Sequence, residues 1–424
     1  MRRQRDGKLS RRRYAAGSIA LAGGLLLTAL GSAGVAGASA APHKQSPVLI
    51  GVSLSLSGDN AAYGQAFKQG YELWADYQNA HGGLLGHPIQ LKILSDASSL
   101  TQLVTNYETL ITLDHVQLIL GPFSTLFTVP TEKVAHRFGY ALIDGAGGGP
   151  EAFAAHYRDY FDVSVPVIGQ LLPFAKWLAT MPKRQRPTTV AYATSNDPFT
   201  QPMIPPAQKV MQKAGIRTVY YKVFPAEVTD YTPIADAVAA SHAQVVVLGS
   251  VDASTVAAFM QAFEQTHYNP KAFIATSGPD SGSSFVSAVG ASNTGGIMVP
   301  DQWFPSTDNA LNHAMTKLYL KKFGGTLNGM NGEIGGTFSS GEVLAAAVKG
   351  SHSISNAKII SWLHGNHTIQ TVQGPVKFNS VGQTFGGTYI FQWQHLKFVQ
   401  ILPKGAPGSV KTILYPKPVW GQGG

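Results

Sequence analysis

From residue 48 onward, short apolar runs alternate with longer stretches whose apolar positions recur at helical spacing. The apolar runs lie at 48–56, 89–94, 118–120, 141–143, 189–193, 218–224, 245–248, 273–276 and 297–299. Several show no polar alternation: Val245, Val246, Val247 and Leu248 follow one another directly. A strand covered on both faces reads this way, because both sides of its pleat must be apolar. Between these runs, 63–81, 100–114, 126–138, 167–181, 199–214, 231–241 and 253–266 predict helices. Such alternation predicts parallel sheets flanked by helices, an α/β protein. Near the end, 388–402 alternates aromatic and polar residues (Tyr389, Phe391, Trp393), which predicts an antiparallel strand pair. The stretch 403–424 is rich in Pro and Gly and is expected to run over the surface.

The chain has 424 residues, too many for one ordinary core, so two lobes are expected. No fixed-period repeat or low-complexity linker is visible. The first forty residues differ from the rest. Arg2, Arg3, Arg5 and Lys8 open them, Ser10-Arg11-Arg12-Arg13-Tyr14 follow, and an apolar Gly/Ala-rich stretch runs over 15–35. Ala38-Ser39-Ala40 offers a small-x-small cleavage site. This is the layout of a secretory signal peptide, cleaved near Ala40. The arginines after Ser10 resemble a twin-arginine signal, although Ala15 and Ala16 stand where that pattern has Leu and Lys; an ordinary Sec signal is the alternative. Of the net charge of +9, +6 belongs to these forty residues. The mild remainder speaks against a nucleic-acid partner. There is no cysteine, which excludes disulfides, a thiolate nucleophile and a lipid-modified Cys anchor.

The block 50–96 carries the most specific pattern. Its first apolar run ends in Ser57-Gly58-Asp59. Ala62-Tyr63-Gly64 and a helical stretch follow, then the turn Gly82-Gly83-Leu84-Leu85-Gly86, then a second apolar run ending at Asp96. This resembles the start of a type I periplasmic binding protein of the branched-chain amino acid (Leu/Ile/Val) ABC transporter substrate-binding family. Those proteins begin with a strand, a "TG…YG" loop, a helix, a "GG…G" turn and a strand ending near Asp. The resemblance covers nearly the whole chain after the signal. It implies two doubly wound parallel-sheet lobes joined by a three-strand hinge. The N-terminal lobe would comprise 46–163 and 302–372, the C-terminal lobe 164–301 and 373–424, with crossings near 162–166, 300–303 and 373–375. It further implies an exported, periplasmic solute receptor without cofactor, monomeric, docking on the membrane permease of an ABC importer.

In open parallel sheets ligands bind beyond the carboxyl ends of the strands, so each trailing loop is a candidate. After 118–120 come Ser124 and Thr125 at a helix start; hydroxyls there cap the helix or hold a ligand carboxylate. The resemblance places the family's carboxylate-binding hydroxyl at Thr125, with Ser124 beside it. After 141–143 comes Asp144-Gly145-Ala146-Gly147-Gly148-Gly149-Pro150. There the family contacts its ligand through main chain and a Thr hydroxyl. Ala146 and Gly148 keep the main-chain contacts, but Gly148 stands where the Thr would be. Tyr63 matches a cleft-lining Tyr, and Phe199 matches a second-lobe Tyr without its hydroxyl. Val251 stands where an aromatic is frequent. Asp280 follows Gly278-Pro279 and matches an acid that pairs with the ligand ammonium, provided about two residues are inserted locally; otherwise it caps a helix. Trp303, beside a crossing, is expected to face the cleft. Loss of hydroxyls suggests a ligand more apolar than an ordinary amino acid: an amino acid-like molecule, a carboxylate or an amide.

Enzyme signatures are missing. Thirteen His residues form no H-E-x-x-H pattern, and His364 and His367 lack an acidic partner nearby, so no metal is expected. There is no G-x-S-x-G elbow, and the Gly/Ser-rich 332–341 lacks the Lys of a phosphate loop. A non-enzymatic receptor is therefore expected. A ligand-sensing module of the same fold and a secreted hydrolase are the alternatives.

Overall fold

The computed structural model describes residues 45–423 apart from Glu227. The expected signal peptide and its Ala40 cleavage site lie outside the described residues.

The chain begins with β1 (Val48–Leu54), α1 (Ala61–Ala80), β2 (Ile89–Ser95), α2 (Leu100–Thr112), β3 (Leu118–Leu120), α3 (Thr125–Phe138), β4 (Leu142–Asp144) and β5 (Tyr160–Asp162). The five strands form one parallel sheet in the order β2-β1-β3-β4-β5. The chain then crosses to a second lobe. It builds α4 (Leu172–Thr180), β6 (Thr189–Ser195), α5 (Ile204–Lys213), β7 (Arg217–Phe224), α6 (Thr232–Ala240), β8 (Val245–Gly249), α7 (Ala253–Gln265), β9 (Ala272–Ala275), α8 (Ser283–Val289) and β10 (Ile297–Asp301). A return to the first lobe adds α9 (Ala310–Phe323), α10 (Glu333–Ser351), α11 (Asn356–Leu363) and the hairpin β11 (Ile369–Thr371) with β12 (Gly374–Val376). The last crossing delivers β13 (Tyr389–Gln394) and β14 (Lys397–Leu402). The second sheet runs β14-β13-β10-β9-β8-β6-β7, parallel except where β13 meets β10 and β14. This is the α/β, two-sheet architecture expected from the apolar runs, with the antiparallel aromatic pair at its edge.

Each sheet carries a core on both faces. Ile50, Leu118 and Ile143 belong to one cluster of the first lobe, Ile119 and Leu142 to the other. Val246 and Leu248 face one core of the second lobe, Val245 and Val247 the other. This is why these strands lack polar alternation. Each such side chain, fully buried, contributes about 1.5–3 kcal/mol.

Two crossings sit at Val163–Val167 and at Val299–Trp303, where successive residues move from one lobe's core to the other's. The third differs from the expected 373–375. Val376 and Phe378 still pack in the first core, and Gln383 pairs with Asp162, so the chain leaves only between Gln383 and Ile390. Trp303 is also core rather than cleft: it is 1% exposed and its Nε1 donates to Asn312 Oδ1 at 2.9 Å. The stretch 403–423 lies along the second lobe as expected, yet it is anchored there. Trp420 Nε1 donates to Tyr268 O, and Lys417 is buried.

The sequence reading missed β5, α8 and the elements from α9 to β12. β5 has only three residues. The first half of α10 holds Gly335, Gly336 and Gly341, and no helix is predicted there. They are helical because the helix must lie close to bulky neighbours. A Cβ at Gly335 would run into the Trp303 ring and one at Gly341 into the Trp74 ring. The close packing of α10 on α1 outweighs the cost of about 1 kcal/mol per helical Gly.

Candidate ligand-binding site

The loops after β4, β5, β6 and β9, the end of β10 and the start of α10 converge between the lobes. They line a partly open cavity of about 40 Å³. The first lobe supplies Gly145, Ala146, Gly332 and Glu333 to its wall. The second supplies Phe199, Thr276, Ser277 and Asp280. The crossings supply Ser164, Pro300, Asp301 and Gln302, and Gln170 follows just after the first of them. This position, beyond the carboxyl ends of the parallel strands, is where loops and helix ends present backbone groups to a solute. Wider grooves exist, such as one of about 510 Å³ beside Asp236 and Lys271, but that one belongs to the second lobe alone.

Tyr63 fastens the lobes together. It leaves α1, stacks on Phe123 with ring centroids 4.4 Å apart, and reaches the 277–280 turn of the other lobe. Its Oη accepts from Gly278 N at 2.8 Å and donates to Asp280 Oδ1 at 3.3 Å; Ser277 Oγ lies at 2.8 Å. Burial, and then the charge of Asp280, push the Tyr63 phenol well above its usual range, so it stays a neutral donor. The turn is held from behind by Trp393, whose Nε1 donates to Pro279 O at 2.8 Å.

Three carboxyl groups face the cavity. Burial pushes Asp280 up to about 6, despite hydrogen bonds from Gly278 N, Tyr63 and Ser277 that favour its charged form. Burial, and next the charge of Asp280, push Asp301 up to about 8. Glu333 is raised well above its usual range by burial, then by Asp280, Asp301, Asp144 and Asp162. Behind the wall, burial raises Asp144 to about 6 against hydrogen bonds from Thr128 Oγ1 and the Gly145 and Ala146 amides.

The seven sequence-expected residues divide into three groups. Ala146, Phe199 and Asp280 line the cavity, and Tyr63 joins Asp280 at its edge. Ser124 and Thr125 are buried outside the wall. Thr125 Oγ1 accepts from Gly149 N at 3.1 Å, which ties α3 to the 145–149 turn. Gly148 packs towards the first crossing: Val167 N donates to its carbonyl at 3.2 Å, and a Cβ there would meet Ser164 Oγ and Val165 O. Asp301, Gln302 and Glu333 were missed. Asp301 ends the predicted 297–299 strand, so the trailing-loop rule pointed near it. Glu333 had no such signal, because α10 was not foreseen.

A family profile described as "Periplasmic binding protein" matches residues 47–397. The chain belongs to this periplasmic binding protein family. The binding protein is 23% identical to an "Amino acid binding protein" of Pseudomonas aeruginosa, over 83% of this chain and 91% of that one. It is 22% identical to "Leu/Ile/Val-binding protein homolog 3" of Brucella melitensis, over 88% and 98% of the two chains. Its structure resembles the branched-chain amino acid transporter substrate binding protein LivJ of Streptococcus pneumoniae, solved with isoleucine, at TM-score 0.73 and 18% identity, covering 88% of this chain and 100% of that one. It resembles an ABC transporter solute binding protein of R. palustris, solved with benzoate, at TM-score 0.72 and 16% identity, covering 88% and 97%. These likenesses carry the fold, that of a type I periplasmic binding protein.

Proposed function

We propose that this periplasmic binding protein is the solute receptor of an ABC importer. It takes a small amino acid-like, carboxylate or amide ligand into the interlobe cleft and closes on it by hinge rotation, without catalysis. The observation that carries this reading is the cleft wall built by both lobes and bridged by Tyr63. A solute bound there touches both lobes only when they are together, so it favours closure by its extra contacts in that state. At about 40 Å³ the closed cavity holds only a small group, whereas a cavity of about 150 Å³ takes a benzene. A larger solute holds the lobes further apart. The receptor acts as a monomer in the periplasm and delivers its ligand to a membrane permease.

The test is a thermal-shift screen of amino acids, aromatic acids, short fatty acids and amides, followed by X-ray scattering of the hits. A hit that stabilises the protein and compacts the particle supports the reading. Identical scattering profiles with and without a tight ligand argue against hinge closure.

A further inference from the structure

Around the cavity, hydrogen-bond donors are largely consumed by the protein itself. Gly145 N and Ala146 N donate to Asp144 Oδ1. Ser164 N and Oγ donate to the Asp162 carboxylate at 3.0 and 2.6 Å. Gly278 N donates to Asp280 Oδ1 at 2.6 Å, and Gln302 N to Asp301 Oδ1 at 2.6 Å. Glu333 N donates to Asn331 Oδ1 at 2.9 Å, and Gly149 N to Thr125 Oγ1. The backbone amides that a bound carboxylate would need are thus already turned onto internal carboxylates and side-chain oxygens. Gln302 Nε2 remains as a neutral donor, its Oε1 having accepted from Val165 N.

Acceptors are in surplus. Asp280, Asp301 and Glu333 line the cavity, and among the described residues no Lys, Arg or His does. Asp301 Oδ2 is buried and has no partner among the described residues. It sits against Gly332, where a Cβ would fall 2.5 Å from it, so any larger residue at 332 would displace it. Asp280, only 6% exposed, commits Oδ1 to three donors, Tyr63 Oη, Ser277 Oγ and Gly278 N. The charge of Asp280 disfavours that of Asp301, and both disfavour that of Glu333, with no cation among the lining residues to offset this. Among the described residues no group of three acidic or His side chains is arranged to hold a metal ion.

We infer that the cleft selects a small organic cation whose N–H groups bridge Asp280, Asp301 and Glu333: a primary ammonium, an amidinium or a guanidinium. This rests on the receptor reading and gives that receptor a cationic ligand in place of a carboxylate or a neutral amide. A cationic N–H donor supplies what the wall lacks, charge and hydrogens together. Such charge-assisted bonds are about twice as strong as neutral ones. Phe199 offers its ring to the cation or to the apolar part of the ligand. An anion such as benzoate would meet three acidic groups and few free donors.

Isothermal titration calorimetry of the purified protein, at about pH 7 and again at about pH 9 to raise the ionised share of Asp301, tests this. The probes are n-butylamine and methylguanidine as cations, butyramide as the neutral isostere, benzoate as anion, isoleucine as zwitterion, and Ca²⁺ alone. The expected result is that a cationic probe binds at least about tenfold more tightly than butyramide or benzoate. Asp301→Asn and Glu333→Gln should each weaken it at least about tenfold, without lowering the melting temperature, because each removes a repelling charge. The inference is overturned if benzoate, butyramide or isoleucine outbinds both amines, if Ca²⁺ alone binds, or if neither variant changes affinity. Benzoate binding with compaction in scattering would sink this inference and leave the receptor reading standing. No binding and no compaction with any probe would remove both.

Discussion

Tyr63 donates to Asp280 across the cleft, Oη to Oδ1 at 3.3 Å, although 217 positions separate them in the chain. The same oxygen accepts from Gly278 N, so one side chain of the first lobe serves both backbone and carboxylate of the second. This contact exists only when the lobes meet.

Tyr63→Phe therefore isolates the closure contact. The ring and its stack on Phe123 remain, and Gly278 N keeps Asp280 Oδ1 as acceptor. The net loss is about 1–3 kcal/mol of closed-state stability, since one lost partner is a carboxylate. Ligand affinity should fall about fivefold or more, with little change in melting temperature. Scattering should show a more open average particle. Unchanged affinity would show that Tyr63 does not help hold the closed form.

Thr125→Val separates a ligand role from a structural one. Valine fills the same space but leaves Gly149 N buried without its acceptor, which costs about 1–3 kcal/mol. A thermal melt should show this loss. If affinity in the folded variant also drops several-fold, Thr125 anchors the ligand as the family resemblance implies. If affinity is unchanged, the residue serves only to tie α3 to the 145–149 turn.

The pH dependence has a definite sign. Asp144 and Asp280 are held near 6 and Asp301 near 8 by burial, above the ordinary carboxylate range of about 4. A carboxyl raised in the folded state binds more protons folded than unfolded, so its stabilisation is present at low pH and lost as pH rises. Stability should decline from about pH 4 towards about pH 6, the range in which the folded chain still holds the Asp144 and Asp280 protons that the unfolded chain has lost. Asp301, Glu132 and Glu342, each raised by burial to about 8, extend the decline. Lys417, lowered by burial to about 7, acts in the opposite direction above that pH. Melting curves across this range check the slope, and Asp301→Asn should flatten its upper part. A cationic ligand should show the reverse trend in affinity, binding more tightly as the carboxyls lose their protons.

Gly341→Ala probes the packing of α10 on α1. In an exposed helix this change stabilises by about 0.5–1 kcal/mol, by removing backbone entropy. Here the added methyl would strike the Trp74 ring, which is fully buried. Overpacking of this kind costs about 1–3 kcal/mol, so the net expectation is a lower melting temperature. A rise would mean that Trp74 can shift freely.

Local sequence decided the strands, most helices and the class of fold. Runs such as Val245–Gly249 can satisfy their backbone and bury both faces only inside a covered parallel sheet. The loops that follow strands were legible as candidates for the same reason, and the family resemblance singled out Ala146, Phe199 and Asp280 within them. Tertiary packing decided the rest. Nothing local in the glycines of α10 says helix until Trp74 and Trp303 are seen against them. Nothing near Thr125 shows that its hydroxyl turns to Gly149 rather than to the cleft. The acidic character of the cavity is likewise non-local: Asp280, Asp301 and Glu333 come from three separate segments, and the hydrogen bonds that consume the surrounding amides form only when those segments converge. Charge and hydrogen-bond balance depend on distances in space, and a linear pattern reports only distances along the chain.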